Sequence, residues 1–198
     1  MVGFLDMAAY PANGPDAHLA AADPVLAELI GRHGPIDEAL DLETGDLYDG
    51  LLLATAGGRF LTHRGRAALV GLRARFGGRT PNPAELLTAD PDVLRLFPGI
   101  GSLAGRLASG RLRLDGLREL DDAQVRAALP TIAEPAADVF LIYSLRRPDV
   151  LARTDLDLRK AVRRVYRLPV LPNPARVTTM AERWRPYRTR ACFYLWQS

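Results

Sequence analysis

The sequence predicts an all-α fold, and three observations predict it. Apolar residues recur at helical spacing through most of the chain. Stretches of strict apolar/polar alternation are few. Asp, Asn, Pro and Gly fall where helices should open and close. The first clear helix is "ADPVLAELIGRHG", with Asp23 as N-cap, Pro24 at the first helical position and Gly34 just past the end. "DLYDGLLLATA" has an apolar run too long for a surface stripe and is expected to be buried. In "RGRAALVGLRARFGG", Ala68, Leu69, Leu72 and Phe76 share a face, and a Gly pair stops the helix. "NPAELL" and "DPDVLRLF" each set Pro beside a capping Asn or Asp, so both are expected as short helices.

"DDAQVRAAL" and "EPAADVFLIYSLRR" continue the series, the latter ending in arginines that suit a helix C-terminus. Thr154 or Asp155 can open the next helix, which should run through Tyr166. "RLPVLP" is the best strand-like stretch, but its prolines make it a loop. Thr179 and Glu182 stand at capping-box spacing in "TTMAERW", and Pro186 is expected to begin a last helix, "PYRTRACFYLW".

The chain has 198 residues, enough for one domain or two small lobes around a core. Hydrophobic and charged contents of 48% and 25% are those of a soluble globular protein. No apolar run approaches the roughly 20 residues that span a bilayer, so no membrane partner is expected. The first residues lack a basic n-region and do not read as a secretory signal. The single cysteine, Cys192, excludes an internal disulfide and suits a reducing cytoplasm. His18, His33 and His63 are scattered without metal-ligand spacing, and no nucleotide, flavin or iron–sulfur motif appears; no metal or cofactor is expected.

Net charge is +3, but it is unevenly distributed. Residues 139–198 hold 13 basic and 4 acidic side chains, whereas residues 1–138 hold 13 basic and 19 acidic. Such a split suggests a face meant for an anion. Lys160 is the only lysine, so arginine richness alone reflects composition; its concentration near the end carries the signal.

Two stretches look like helix-hairpin-helix turns. "LFPGIGSLAGRLA" (residues 96–108) has the Pro-Gly-apolar-Gly form that lets backbone N–H groups approach a phosphate. "ALPTIAEPAADVF" (residues 128–140) keeps the frame but puts Thr131 and Ala133 where glycines would stand. It is followed by "DVFLIYSLRRPDVLARTDLDLRKAV", which sets Asp155 23 positions after Ile132, and farther on by "MAERWRPYRTRACFYLW".

These residues resemble the helix-hairpin-helix DNA glycosylases, and among them the 3-methyladenine DNA glycosylase II type. The likeness runs from "ADPVLAELIGRHGPI" to Trp196. It implies a two-lobed helical bundle with a cleft between lobes. Residues 1–22 would be an N-terminal segment and 23–198 the glycosylase-like domain, with a middle lobe about 45–145 and a second lobe from the N- and C-terminal helices. It implies a monofunctional enzyme that flips an alkylated purine out of double-stranded DNA and hydrolyses its N-glycosidic bond, acting as a monomer in the cytoplasm near the nucleoid.

By the same resemblance Asp155 is the catalytic carboxylate, steadying positive charge on the sugar or activating water. Asp149 matches the family's "DV" turn and reads as structural, and Asp157 as ion-pairing. Trp196 corresponds to the family's pocket tryptophan, with Leu156 and Val139 beside it as base-pocket candidates; a core aromatic is the alternative for Trp196. Trp184, Tyr187 and Arg188 read as packing or backbone-binding positions. DNA contacts fall to Thr131, Ala133 and Pro135 of the hairpin and to Arg153, Arg159 and Arg188. Arg59 and Phe60 are candidates for the side chain that fills the gap left by the flipped base.

Pro135 stands at the hairpin position where bifunctional relatives carry a Schiff-base lysine, so no lyase activity is expected. The hairpin also departs from the pattern. A non-glycine residue at positive φ is strained by roughly 1–2 kcal/mol, and Glu134 brings a carboxylate to the phosphate site. These departures leave open a catalytically weak or inactive DNA-binding protein, and beyond it a helical scaffold for a protein or small ligand.

Overall fold

The structure is a computed structural model that describes residues 14–36, 46–57 and 63–198, with only the backbone of Gly57, His63 and Arg64. The described residues are helical and contain no strand. The chain divides into two compact units, one made of Met1–Leu40 and Arg147–Ser198, the other of Asp41–Arg146. No helix among the described residues is long and apolar enough to cross a membrane.

In the first unit, α1 (Pro15–Ala22) and α2 (Pro24–His33) precede α10 (Leu156–Val165), α11 (Pro174–Ala181) and α12 (Arg188–Gln197). Asp23 caps α2 as its position suggests, accepting from the Val25 N–H at 3.0 Å, and Gly34 ends it at φ 73°. Asp23 is 1% exposed, and its second oxygen accepts from the Tyr166 hydroxyl at 2.6 Å and the Trp184 indole N–H at 2.9 Å. One buried carboxylate thus ties α2 to the end of α10 and to the 3-10 turn Glu182–Trp184. A buried carboxylate is tolerable only when its oxygens are occupied in this way. Burial, and next the hydrogen bond to Asp23, hold the Tyr166 phenol above its usual range, so it remains a donor. Leu19, Leu26, Leu158, Val162, Val177 and Leu195 are fully buried; each such leucine stabilises the fold by about 1.5–3 kcal/mol.

The second unit holds α3 (Leu47–Gly57), α4 (His63–Arg75), α5 (Pro83–Leu87), α6 (Pro91–Leu94), α7 (Ile100–Ala108), α8 (Asp122–Ala128) and α9 (Glu134–Val139). α3 packs on α4, and Leu51 and Leu52 are fully buried, as its apolar run predicts. Gly77 and Gly78 follow α4 at φ 68° and 86°. Asn82 and Asp90 cap α5 and α6, and Asn82 forms a reciprocal box with Glu85. Asp121 and Gln124 form another at the start of α8. After Val139 the α9 helix widens into a π-turn, Phe140–Ser144, so the long expected helix is two pieces.

Other expectations need correction. Thr179 and Glu182 form no capping box. Asn173 opens α11 six residues earlier, accepting from the Arg176 N–H, and Thr179 donates to the Ala175 carbonyl one turn back. Asn173-Pro174 is the stronger start signal, because Pro at the first helical position loses no hydrogen bond. The last helix begins at Arg188, beyond the cis Arg185–Pro186 bond, not at Pro186. The strain expected at Thr131 and Ala133 is absent. Ala133 has φ −60° and ψ 145°, and neither residue has positive φ.

Candidate active site

Asp155 is the N-cap of α10, with extended backbone (φ −64°, ψ 122°). Its Oδ1 accepts from the Leu158 N–H at 2.6 Å and from the Trp196 indole N–H at 3.1 Å. The first bond satisfies an end donor of α10, where the positive end of the helix dipole favours an anion. The second fixes the carboxylate against an aromatic side chain 41 residues away. Trp196 is half-buried, its ring 5.9 Å from that of Phe193 and tilted by 52°. Leu156, beside Asp155, is 49% exposed.

The loop that delivers Asp155, residues 147–155, is held along its length by α12. Arg188 donates from Nε to Asp149 Oδ1 at 2.7 Å and from Nη2 to Asp149 Oδ2 at 3.0 Å and to its carbonyl at 2.7 Å. Arg185 adds a bond to Asp149 Oδ2 at 2.7 Å. The Thr189 hydroxyl donates to the Arg147 carbonyl at 2.7 Å and accepts from the Val150 N–H at 3.0 Å, and the Thr189 N–H donates to the Pro148 carbonyl at 3.1 Å. Cys192 Sγ lies 4.0 Å from the Val150 carbonyl. Thr189, Cys192 and Trp196 recur at helical spacing on one face of α12. That single face grips the start of the loop and touches its last residue.

The site residues expected from sequence therefore divide. Asp155, Leu156 and Trp196 are brought together. Arg153 is exposed on the same loop. Arg188 does not present a free cation: its side chain is 13% exposed and its guanidinium is taken by Asp149. Arg159 Nε donates to the Pro172 carbonyl at 2.7 Å, anchoring the loop after α10. Thr131, Ala133 and Pro135 are exposed at the turn into α9, and Val139 is buried in that helix. Arg59 and Phe60 lie outside the described residues. Thr189, 6% exposed, is a positioning residue that sequence reasoning missed; a threonine in a first helical turn carries no local sign of a partner some forty residues upstream.

No family model matches the chain. The chain is similar to DNA-3-methyladenine glycosylase 1 of Schizosaccharomyces pombe, 24% identical over 208 residues covering 92% of this chain and 86% of that protein. It superposes on the structure of the S. pombe 3-methyladenine DNA glycosylase Mag1, solved in complex with abasic DNA, with a TM-score of 0.80 at 24% identity, covering 92% of this chain and 95% of the other. The Bacillus halodurans DNA-3-methyladenine glycosidase structure gives 0.71 at 22% identity, covering 95% and 90%. The fold of this chain is the all-α helical bundle of these two structures.

Proposed function

We propose that this chain is a monofunctional DNA glycosylase that removes alkylated purines from double-stranded DNA, with Asp155 as its catalytic carboxylate. The observation that carries the reading is the double hydrogen bond to Asp155 Oδ1, from the Leu158 N–H and the Trp196 indole, at the start of α10. The similarity to 3-methyladenine glycosylases supports the substrate class. An alkylated purine is electron-poor, and its glycosidic bond breaks with the electron pair leaving on the base. Positive charge then develops at the sugar C1′, and water supplies the hydroxyl that ends there. A fixed carboxylate stabilises that charge. It needs no reorganisation when Trp196 and the α10 backbone already orient it. The Trp196 ring, half-buried beside it, offers a stacking surface for a flipped base.

Arg153 is the exposed cation nearest in sequence to Asp155 for a phosphate contact. One feature favours the second reading, a DNA-binding protein without base release: the turn into α9 holds Glu134 and Pro135, a carboxylate and a residue with no N–H, where a backbone phosphate would need donors. The deciding experiment incubates a duplex alkylated at many positions with the wild-type chain and with Asp155→Asn, and identifies the free bases. Wild type should release methylated purines. Asp155→Asn should release them about 10²–10³-fold more slowly, with DNA affinity equal or higher. Undiminished release by the variant would remove Asp155 from the chemistry, and binding without release by wild type would select the second reading.

A further inference from the structure

The inward face of α10 buries Leu158, Ala161 and Val162. With about 100° between successive residues, Leu156, Lys160 and Arg163 fall on the opposite, outward face, with Arg164 at its edge and Arg167 just past the end of the helix. Arg163, Arg164 and Arg167 are exposed. Lys160 Nζ lies 3.1 Å from Asp157, and Arg164 donates to the Ser198 carbonyl and hydroxyl. The guanidinium groups of Arg163 and Arg167 make no hydrogen bond or ion pair among the described residues. Lys160, Arg163 and Arg164 line a concavity of about 370 Å³ with Leu168. Arg164 and Arg167 continue into a second, of about 200 Å³, shared with Arg32 and the Glu28 carboxylate, which Arg32 already binds at 2.6 Å.

The helix dipole favours cations near a C-terminus and accounts for Arg163 and Arg164 in the last turn. It does not account for a residue other than glycine at position 167. Arg167 sits at φ 53°, in the left-handed position just past the helix. The Leu168 N–H donates to the Arg163 carbonyl and the Arg167 N–H to that of Arg164, which is the closing motif that ordinarily takes glycine. An arginine there is backbone-strained, and it lines the second concavity beside Arg164.

We propose that Lys160, Arg163, Arg164 and Arg167 form a phosphate-binding site for a nucleic-acid backbone, separate from Asp155 at the other end of α10. From Lys160 to Val165, its last residue, the helix rises about 7.5 Å, and Arg167 stands just past it, which leaves room for about two phosphates of one strand at roughly 3.4 Å of rise each. The flat, five-donor guanidinium matches phosphate oxygens in pairs. Like charges repeated along a rigid helix suit a polymer that is itself charged at short, regular intervals. The site does not depend on Asp155 doing chemistry, because it would hold nucleic acid whether or not bases are released.

The test measures binding of an undamaged labelled duplex against salt concentration for wild type, R163Q/R167Q, R163Q/R167G and D155N. The glycine version also relieves the strained position, so it keeps the test open if the glutamine version folds poorly. With unchanged circular dichroism, the double variants should bind at least about 10-fold more weakly at low salt. Their slope of log K against log salt should be shallower by about 2, near 0.9 for each lost phosphate contact. D155N should keep the wild-type slope. An unchanged slope in a folded double variant overturns the site. So does polyglutamate of equal charge displacing wild type, but not the variants, as well as nucleic acid does, because the site would then belong to an acidic protein. A shifted slope in a chain that releases no base leaves this site standing and removes only the glycosylase reading.

Discussion

Residues 147–155 and residues 129–133 are both short connections that open onto a helix, and they are held by opposite means. The first is held by side chains. Arg185, Arg188 and Thr189 reach Asp149 and the loop backbone, and Trp196 reaches Asp155. The second is held by packing, through the buried side chains of Leu129 and Ile132 and a close approach of backbone. Gly99, at φ 83°, lies so close to residue 131 that a Cβ built on it would stand 2.1 Å from the Thr131 oxygen, and the Thr131 hydroxyl donates to the Gly99 carbonyl at 3.0 Å. A side-chain clamp fixes where one particular group points; a backbone contact fixes only the path of the chain. The clamp fixes the start of the loop that ends at the carboxylate put forward for chemistry, where positional accuracy has the largest consequence for rate.

The largest expected effect comes from breaking the backbone contact. Gly99→Ala combines a left-handed φ with a clash against backbone that no rotamer change can relieve, and should destabilise the chain by about 3–5 kcal/mol. A denaturant titration would read this as a lower midpoint. The folded fraction should keep its base-release rate at saturating DNA, since the clamp on residues 147–155 is untouched.

Arg188→Ala comes next. It removes three bonds to Asp149 and leaves that carboxylate with Arg185 and a backbone donor. The expected cost is about 2–3 kcal/mol. Unlike Gly99→Ala, it should also lower the saturating base-release rate of the folded protein. A fall in stability with unchanged turnover would mean that the clamp is structural only.

How far the sequence could be read follows the same division between local and distant partners. Asp23, Gly34, Asn82, Asp90 and Asp155 were legible because a cap acts on N–H groups two or three residues away, so the cause and its sign sit together. The short spacing from Thr179 to Glu182 misled for the same reason: it is a local pattern that a stronger local signal, Asn173-Pro174, overrode. The ties of Arg188 to Asp149 and Trp196 to Asp155 span 39 and 41 residues. No periodicity or spacing marks them, and only the likeness to a family put Asp155 and Trp196 forward together. The arginines were legible as a charge excess but not one by one. Arg159 and Arg188, expected to face DNA, turn to a carbonyl and a carboxylate, whereas Arg163 and Arg167 are outward.

Thr189→Val tests the clamp without changing its charge or side-chain shape. It deletes the donor to the Arg147 carbonyl and the acceptor for the Val150 N–H, in a place where Val150 is 1% exposed. An unsatisfied buried N–H predicts a loss of about 1–3 kcal/mol. Thr189→Ser, which keeps the hydroxyl, should recover most of the stability and the saturating release rate. Full stability and release rate in Thr189→Val would show that the hydroxyl does not hold the loop, and a loss in Thr189→Ser as well would add a contribution from the methyl group and its packing.

Ala133→Gly should have the smallest effect, and it sharpens the comparison from the other side. If the turn at 129–133 were a strained version of a glycine hairpin, restoring the glycine would relieve strain and stabilise the chain. Ala133 already holds φ −60° and ψ 145°, a conformation open to any residue. Glycine there relieves nothing and only adds freedom to the unfolded chain, so the variant should be less stable by about 0.5–1 kcal/mol. A stability gain in the denaturant midpoint would show that the turn does carry strain, and would make the hairpin, unlike the clamp, a region where the chain gives up stability to hold a particular geometry.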